Sequence, residues 1–159
     1  MKTYIKFFIV LLTISLSFSC SKESESESID NGNTGNSSME TEILSLLNNH
    51  RTSKGLIKLE ISKVIKTQTD AHTNYMIGKN DISHDDFKQR SDYLKQNDNA
   101  KSVAENVASG YSSAKAVANG WLNSSGHKKN IEGNYTHFNL TAKHNSKGTW
   151  YYTNIFISK

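Results

Sequence analysis

The chain has 159 residues, a formal net charge of +4 and a single cysteine. That length suits one domain, on the prior of roughly 100 to 200 residues each, with enough chain to bury a core. One cysteine excludes an intramolecular disulfide, and the scattered basic residues, paired only at Lys128 and Lys129 with no accompanying motif, give no case for a nucleic-acid partner.

The first segment has the anatomy of a secretion signal. Lys2 and Lys6 form a basic start, Phe7 to Phe18 is an apolar run diluted by Thr13, Ser15 and Ser17, and small residues precede Cys20. A membrane-crossing helix needs about 20 apolar residues, which this run does not reach. Leu16-Ser17-Phe18-Ser19-Cys20 resembles a bacterial lipobox, with Ser17 where leucine is usual and Phe18 where a small residue is usual. The expectation is a signal peptide over residues 1–19 and lipid on Cys20, holding the protein to a bacterial membrane. Ordinary cleavage after Ser19, leaving a secreted protein with a free thiol, is the alternative. Several acyl groups on one residue hold firmly where a single chain does not.

From Ser21 to Ser38 the chain is nearly free of apolar side chains, so it cannot offset its ordering entropy by burial. Residues 20–38 are therefore expected to be the lipidated cysteine and a disordered stalk, with the folded domain at 39–159. The run Lys22-Glu23-Ser24-Glu25 resembles the acidic tag that routes some lipoproteins to the outer membrane and the cell surface; a solvated spacer has the same composition. Setting aside the two leader lysines and the net −3 of the stalk leaves +5 on the domain.

Met39, Ile43, Leu46, Leu47 and His50 fall at helical spacing before Gly55, which predicts a helix over about 39–53. A second stripe, Ile61, Val64, Ile65, Gln68, Ala71 or His72, Tyr75 and Met76, predicts a helix ending near Gly78 with Lys63, Lys66 and Asp70 on its polar face. A short helix is expected at 86–96, and the remainder of 81–111 reads as an irregular path past Glu105. Ser112 as N-cap, then Ala114, Val117, Ala118, Trp121 and Leu122, predicts a helix over 113–123. The period then changes to two: Phe138, Leu140 and Ala142 alternate with polar residues, 145–148 is a turn, and Trp150 to Ile157 is aromatic and β-branched, a hairpin. Helices first and strands last indicate an α+β fold in which helices cover a small antiparallel sheet.

No HExxH, GxSxG, phosphate-binding glycine loop or cysteine pair is present. Candidate functional residues come from distant positions: His84, Glu105 and His127. Ordered segments connect them to a known family. Leu47-Asn48-Asn49-His50-Arg51 with Gly55-Leu56, His72-Thr73-Asn74-Tyr75-Met76 before Ile82-Ser83-His84, Glu105-Asn106-Val107-Ala108-Ser109-Gly110-Tyr111, Trp121 through Ile131, and Tyr151 to Phe156 together resemble the CAP superfamily, also called SCP or PR-1-like, in its bacterial form. The Trp121 segment is similar to the WxxSxxHxxNI signature.

The resemblance implies an α-β-α sandwich and a cleft where His84, Glu105 and His127 converge. Plant and animal members carry a further acidic residue three positions after the tryptophan; Ser124 stands there in this chain, so the full acidic set is not present. Two imidazoles and a carboxylate are three good ligands for zinc with an open position. The same groups can equally bond each other and fix an irregular loop. His127, following a helix C-terminus, has a second reason to be there, since a cation or donor is favourable at that end. Ser124 or Ser125 near His127, with Glu105 orienting, is a candidate nucleophile, though without an oxyanion motif. Trp121 shares the stripe of Val117 and Leu122 and is expected in the core, and Asn106 and Asn130 are expected to bond neighbouring backbone.

Three readings follow. The domain is a binding module for a lipid, an envelope polymer or a protein, or a zinc-dependent hydrolase with His84, His127 and Glu105 as ligands or base, or a structural envelope protein in which the cluster only stabilises the fold.

Overall fold

The computed structural model describes residues 37–159; the leader, Cys20 and most of the stalk lie outside the described residues. Helix α1 spans Ser38–Ser53 and opens with a capping box. The Ser37 hydroxyl accepts from the Glu40 amide at 3.3 Å, and the Glu40 carboxylate accepts from the Ser37 amide at 2.8 Å, satisfying two amides that lack intrahelical partners. Ser37 and Ser38, the last two residues of the segment expected to be stalk, thus belong to the folded domain.

Strand β1 is short, Glu60–Ile61, and leads through the N-cap Ser62 into α2, Lys63–Lys79. Helix α3 spans Phe87–Asn97, β2 Ser102–Ser109, α4 Ala114–Asn123 and α5 Ser125–Ile131, and β3, His137–His144, returns as β4, Trp150–Ser158. The sheet order is β1-β3-β4-β2. β2 and β3 flank β4 antiparallel, and β1 adds a parallel edge to β3, so the sheet is mixed rather than wholly antiparallel.

Alternation along β4 builds the two cores, because successive side chains leave opposite faces. Tyr152 and Phe156 join Ile43, Leu44 and Leu47 of α1, Val117, Ala118 and Trp121 of α4, and Phe138 and Leu140 of β3. On the other face Ile155 and Ile157 pack with Ile65 of α2 and Leu94 of α3. Helices on both faces of one sheet make the expected α-β-α sandwich.

Three local readings change. The N-cap of α4 is Ser113, whose hydroxyl accepts from the Ala116 amide at 3.2 Å, not Ser112. The buried stripe of α2 is Ile65, Lys66, Thr69, His72, Thr73 and Met76, because polar side chains there are paired with the sheet. Lys66, expected on the polar face, donates to Glu40 Oε1 at 2.7 Å, and Thr69 and Thr73 meet Thr141 and Thr153 at 2.8 Å. Third, residues expected to run irregularly past Glu105 form β2. Its outer edge is capped by side chains: Trp121 Nε1 donates to the Val107 carbonyl at 3.3 Å and Asn130 Nδ2 to the Glu105 carbonyl at 3.2 Å. Such capping satisfies groups that an edge strand would otherwise expose.

Candidate functional site

β2 alternates Ala104, Asn106 and Ala108 toward the α1 and α4 face with Val103, Glu105 and Val107 toward α2 and α3. Glu105 therefore enters the core beneath α3 with its side chain 1% exposed. A carboxylate so buried needs charged or hydrogen-bonding partners. Arg90 of α3, itself buried, supplies them: Nε donates to Oε2 and Nη2 to Oε1, each at 2.8 Å, while Nη1 donates to the Asp85 carbonyl at 2.7 Å. This two-pronged bond is the strong form of an arginine–carboxylate pair.

His84, in the loop between α2 and α3, places Nδ1 2.8 Å from Glu105 Oε1, with its side chain 55% exposed. One ring edge is thereby anchored to a buried anion while much of the ring faces solvent. His72 of α2 donates from Nε2 to the Ser83 carbonyl at 2.6 Å, and the same nitrogen lies 3.9 Å from Glu105, beyond hydrogen-bond range. Burial pushes the His72 imidazole down, opposed by its bond to Ser83 and the charge of Glu105. Beside the site, Asp85 accepts from Lys79 and Tyr75, and these bonds, Lys79 first, hold its carboxyl well below the usual range.

His127 reaches the same neighbourhood from the other side of the β2 edge. It lies in the first turn of α5, not beyond a helix C-terminus, because Ser124 breaks α4 from α5. Two amides lock α5 to the strand: Asn106 Nδ2 donates to the His127 carbonyl at 3.1 Å, and Asn130 Nδ2 also reaches Asn106 Oδ1 at 2.9 Å. Both asparagines thus bond neighbouring backbone as expected, and Trp121 is core, 1% exposed. The His127 ring is half-buried and has no hydrogen bond among the described residues; burial, then the nearby His84, push its imidazole down.

The residues read from the sequence therefore divide. His84 bonds Glu105 directly, and His127 is joined to the same strand through Asn106, which donates to its carbonyl. Ser124 is the residue before α5; its side chain makes no capping bond, and no hydrogen bond joins it to His127, so the nucleophile arrangement lacks its base contact. Arg90 and His72, which complete the site, carried no sequence signal as site residues. The one available clue was chemical: a carboxylate in a strand core requires a buried cation, and no spacing rule says which.

The zinc reading requires a carboxylate free to turn toward a metal. Glu105 does not fit, because its side chain is 1% exposed, Arg90 holds both of its oxygens and His84 shares Oε1. Among the described residues, no three histidine, cysteine or acidic side chains stand at metal-binding separation. Glu105 is a structural anion here rather than a metal ligand or a free base.

A four-stranded sheet between two helical layers, with a histidine–glutamate pair at the edge strand and a second histidine on the helix locked to it, defines an SCP-type domain. The chain belongs to the cysteine-rich secretory protein (CAP) family, whose model matches residues 44–156. It is 31% identical over 108 residues to the uncharacterized protein YkwD of Bacillus subtilis, covering 65% of this chain and 42% of that protein. It is 32% identical over 127 residues to the uncharacterized membrane protein YlbC of the same organism, covering 77% and 35%. The chain thus spans less than half the length of these curated relatives.

Among solved structures, an extracellular SCP-domain protein of Bacillus anthracis superposes with a TM-score of 0.65 at 28% identity, covering 76% of this chain and 40% of that one. An outer surface protein of Borrelia burgdorferi gives 0.66 at 20% identity, covering 74% and 90%. The latter likeness shows the fold alone.

Proposed function

We propose that this chain is an exported envelope or surface protein whose CAP domain is a binding module, taking its ligand at the cleft of His84 and His127. In this reading lipid on Cys20 holds it to a bacterial membrane, the outer membrane and cell surface being the expected destination, and the polar stalk sets the domain away from that membrane. The extracellular and membrane-protein descriptions of its relatives support export. A lipid, an envelope polymer or a protein is the class of ligand.

The observation that carries the binding reading is the state of Glu105. A carboxylate neutralised by Arg90 and 1% exposed is poorly placed to act as base or metal ligand, whereas His84 and His127 keep ring nitrogens without protein partners among the described residues. Imidazole nitrogens left without protein partners beside a carboxylate already held by Arg90 can meet a ligand but have no free acid to work with, which supports recognition over hydrolysis.

The test is a thermal-shift screen of the full chain in detergent micelles against lipid vesicles, purified envelope polymers and candidate proteins, run beside His84→Ala with His127→Ala. A ligand that raises the wild-type melting temperature and not the variant's is expected. A variant that merely melts lower, with every ligand response unchanged, would leave the cluster a structural role and overturn the reading. Mass analysis of the mature N-terminus tests the anchor: an unmodified Cys20 excludes it.

A further inference from the structure

Three separate bonds converge on the short loop that carries His84. His72 Nε2 holds the Ser83 carbonyl at 2.6 Å, Arg90 Nη1 holds the Asp85 carbonyl at 2.7 Å, and Glu105 holds His84 Nδ1 itself at 2.8 Å. The residues before, at and after position 84 are thus each fixed by a side chain from a different element: α2, α3 and β2.

Their chemistry also fixes a proton. Arg90 cannot lose its charge, and its two-pronged grip keeps Glu105 a carboxylate. An ionised carboxylate only accepts hydrogen bonds, so the nitrogen 2.8 Å from Oε1 must donate. Neutral His84 therefore carries its hydrogen on Nδ1 and keeps the lone pair on Nε2, at the opposite edge of a ring that is 55% exposed. The neighbouring groups agree: His72 spends its Nε2 hydrogen on a carbonyl, and Asp85 is occupied by Lys79 and Tyr75, so neither offers His84 a second arrangement.

We infer that Arg90 and His72 are positioning residues that set His84 as the Nδ1–H tautomer, and that at His84 the site takes ligand groups donating a hydrogen bond (a hydroxyl, amide N–H or ammonium) over anions such as carboxylate or phosphate. The inference rests on the binding reading of the cleft and narrows its ligand class. Arg90 acts at second hand: its charge decides that Glu105 accepts, which decides which nitrogen of His84 is left for the ligand. A lone pair facing solvent accepts hydrogen bonds and cannot give one, which is the basis of the selection.

The test is a long-range proton–nitrogen correlation spectrum of the imidazole rings in the 15N-labelled full chain, in detergent micelles at pH 8, with His84 assigned by loss of its signals in His84→Gln. The expected result is a protonated Nδ1 and a bare Nε2 at His84, and the reverse at His72. A His84 carrying its hydrogen on Nε2 overturns the inference in the wild type, whatever the variants do. Arg90→Lys keeps a charge but loses the two-pronged bond and the Asp85 contact, and is expected to turn the single His84 tautomer into a mixture; an unchanged His84 spectrum removes Arg90 from the role. Added inorganic phosphate is expected to leave the His84 signals in place, and a phosphate-dependent shift would overturn the stated selectivity. Failure of the binding reading looks different: the tautomer is as stated, yet no ligand in the thermal screen depends on His84 and His127.

Discussion

Arg90 and Glu105 meet through two hydrogen bonds of 2.8 Å, one to each carboxylate oxygen, with side chains 8% and 1% exposed. A pair this deep is worth little against a well-packed apolar replacement, but removal of one partner strands the other. Arg90→Met is therefore expected to cost about 3–5 kcal/mol in urea unfolding, since His84 alone remains for Glu105. The double variant Arg90→Met with Glu105→Leu should recover much of that loss. If the single variant costs less than about 1 kcal/mol, as a solvated pair would, the pair is not the anchor described above.

A second buried cation organises the other end of the site. Arg51, 1% exposed, donates to the carbonyls of Ile57 at 2.9 Å, Ile131 at 2.7 Å and Gly133 at 2.8 Å. It ties the C-terminus of α1 to the C-terminus of α5, where the helix carbonyl ends are electronegative. Burial pushes its guanidinium down from the ordinary value, yet it stays charged. Hydrogen bonds to charged groups contribute about 1.5–3 kcal/mol each, so Arg51→Met should cost at least about 3 kcal/mol. Amide exchange should quicken most around Ile131 to Tyr135, and so loosen the helix that carries His127. Uniform quickening across the domain would deny Arg51 this local role.

How much of this was legible follows from what burial does to sequence pattern. Helices α1 and α4 and the closing hairpin repeat their apolar residues at 3.6 or 2, and those repeats are the core-facing positions. In α2 the pattern misleads, because Lys66, Thr69 and Thr73 are buried by pairing with Glu40, Thr141 and Thr153 rather than by being apolar. β2 has Glu105 and Asn106 at its centre, residues that argue against a strand until Arg90, His84, Asn130 and the His127 carbonyl are there to satisfy them. His84, Glu105 and His127 became a site only through family likeness, since no spacing rule brings them together. Arg90 and His72 stayed hidden for the same reason.

Asn154 offers a cleaner test of polar burial. It is fully buried on β4, in register with Asn106 and Leu140 and on the face of Tyr152 and Phe156, and neither side-chain atom has a hydrogen-bond partner among the described residues. An unpaired amide in such a place costs about 1–3 kcal/mol. Asn154→Leu, which keeps the branched outline with larger end groups, should leave stability unchanged or raise it by about 1 kcal/mol. Loss of more than about 1 kcal/mol would reveal a partner for the amide, a buried water being the simplest.

Acid should weaken the domain through His72 and His127. His72 and His127 have folded-state values pushed below 6.5, chiefly by burial. As pH falls through about 6.5 the unfolded chain takes protons at both positions while the folded chain refuses them, so the unfolded state binds more and stability drops. The drop continues until the folded values are reached and then levels off. Asp85, Asp92 and Glu132, whose values are lowered, lie in a separate window below about pH 4.5; Asp85 is exposed and the other two are half-exposed, so they contribute weakly if at all. The denaturant midpoint should therefore fall between pH 7 and pH 5, and His72→Gln, which keeps an amide donor for the Ser83 carbonyl without a titrating ring, should make that fall shallower. A midpoint that rises on acidification through this window would overturn burial as the cause that governs His72 and His127.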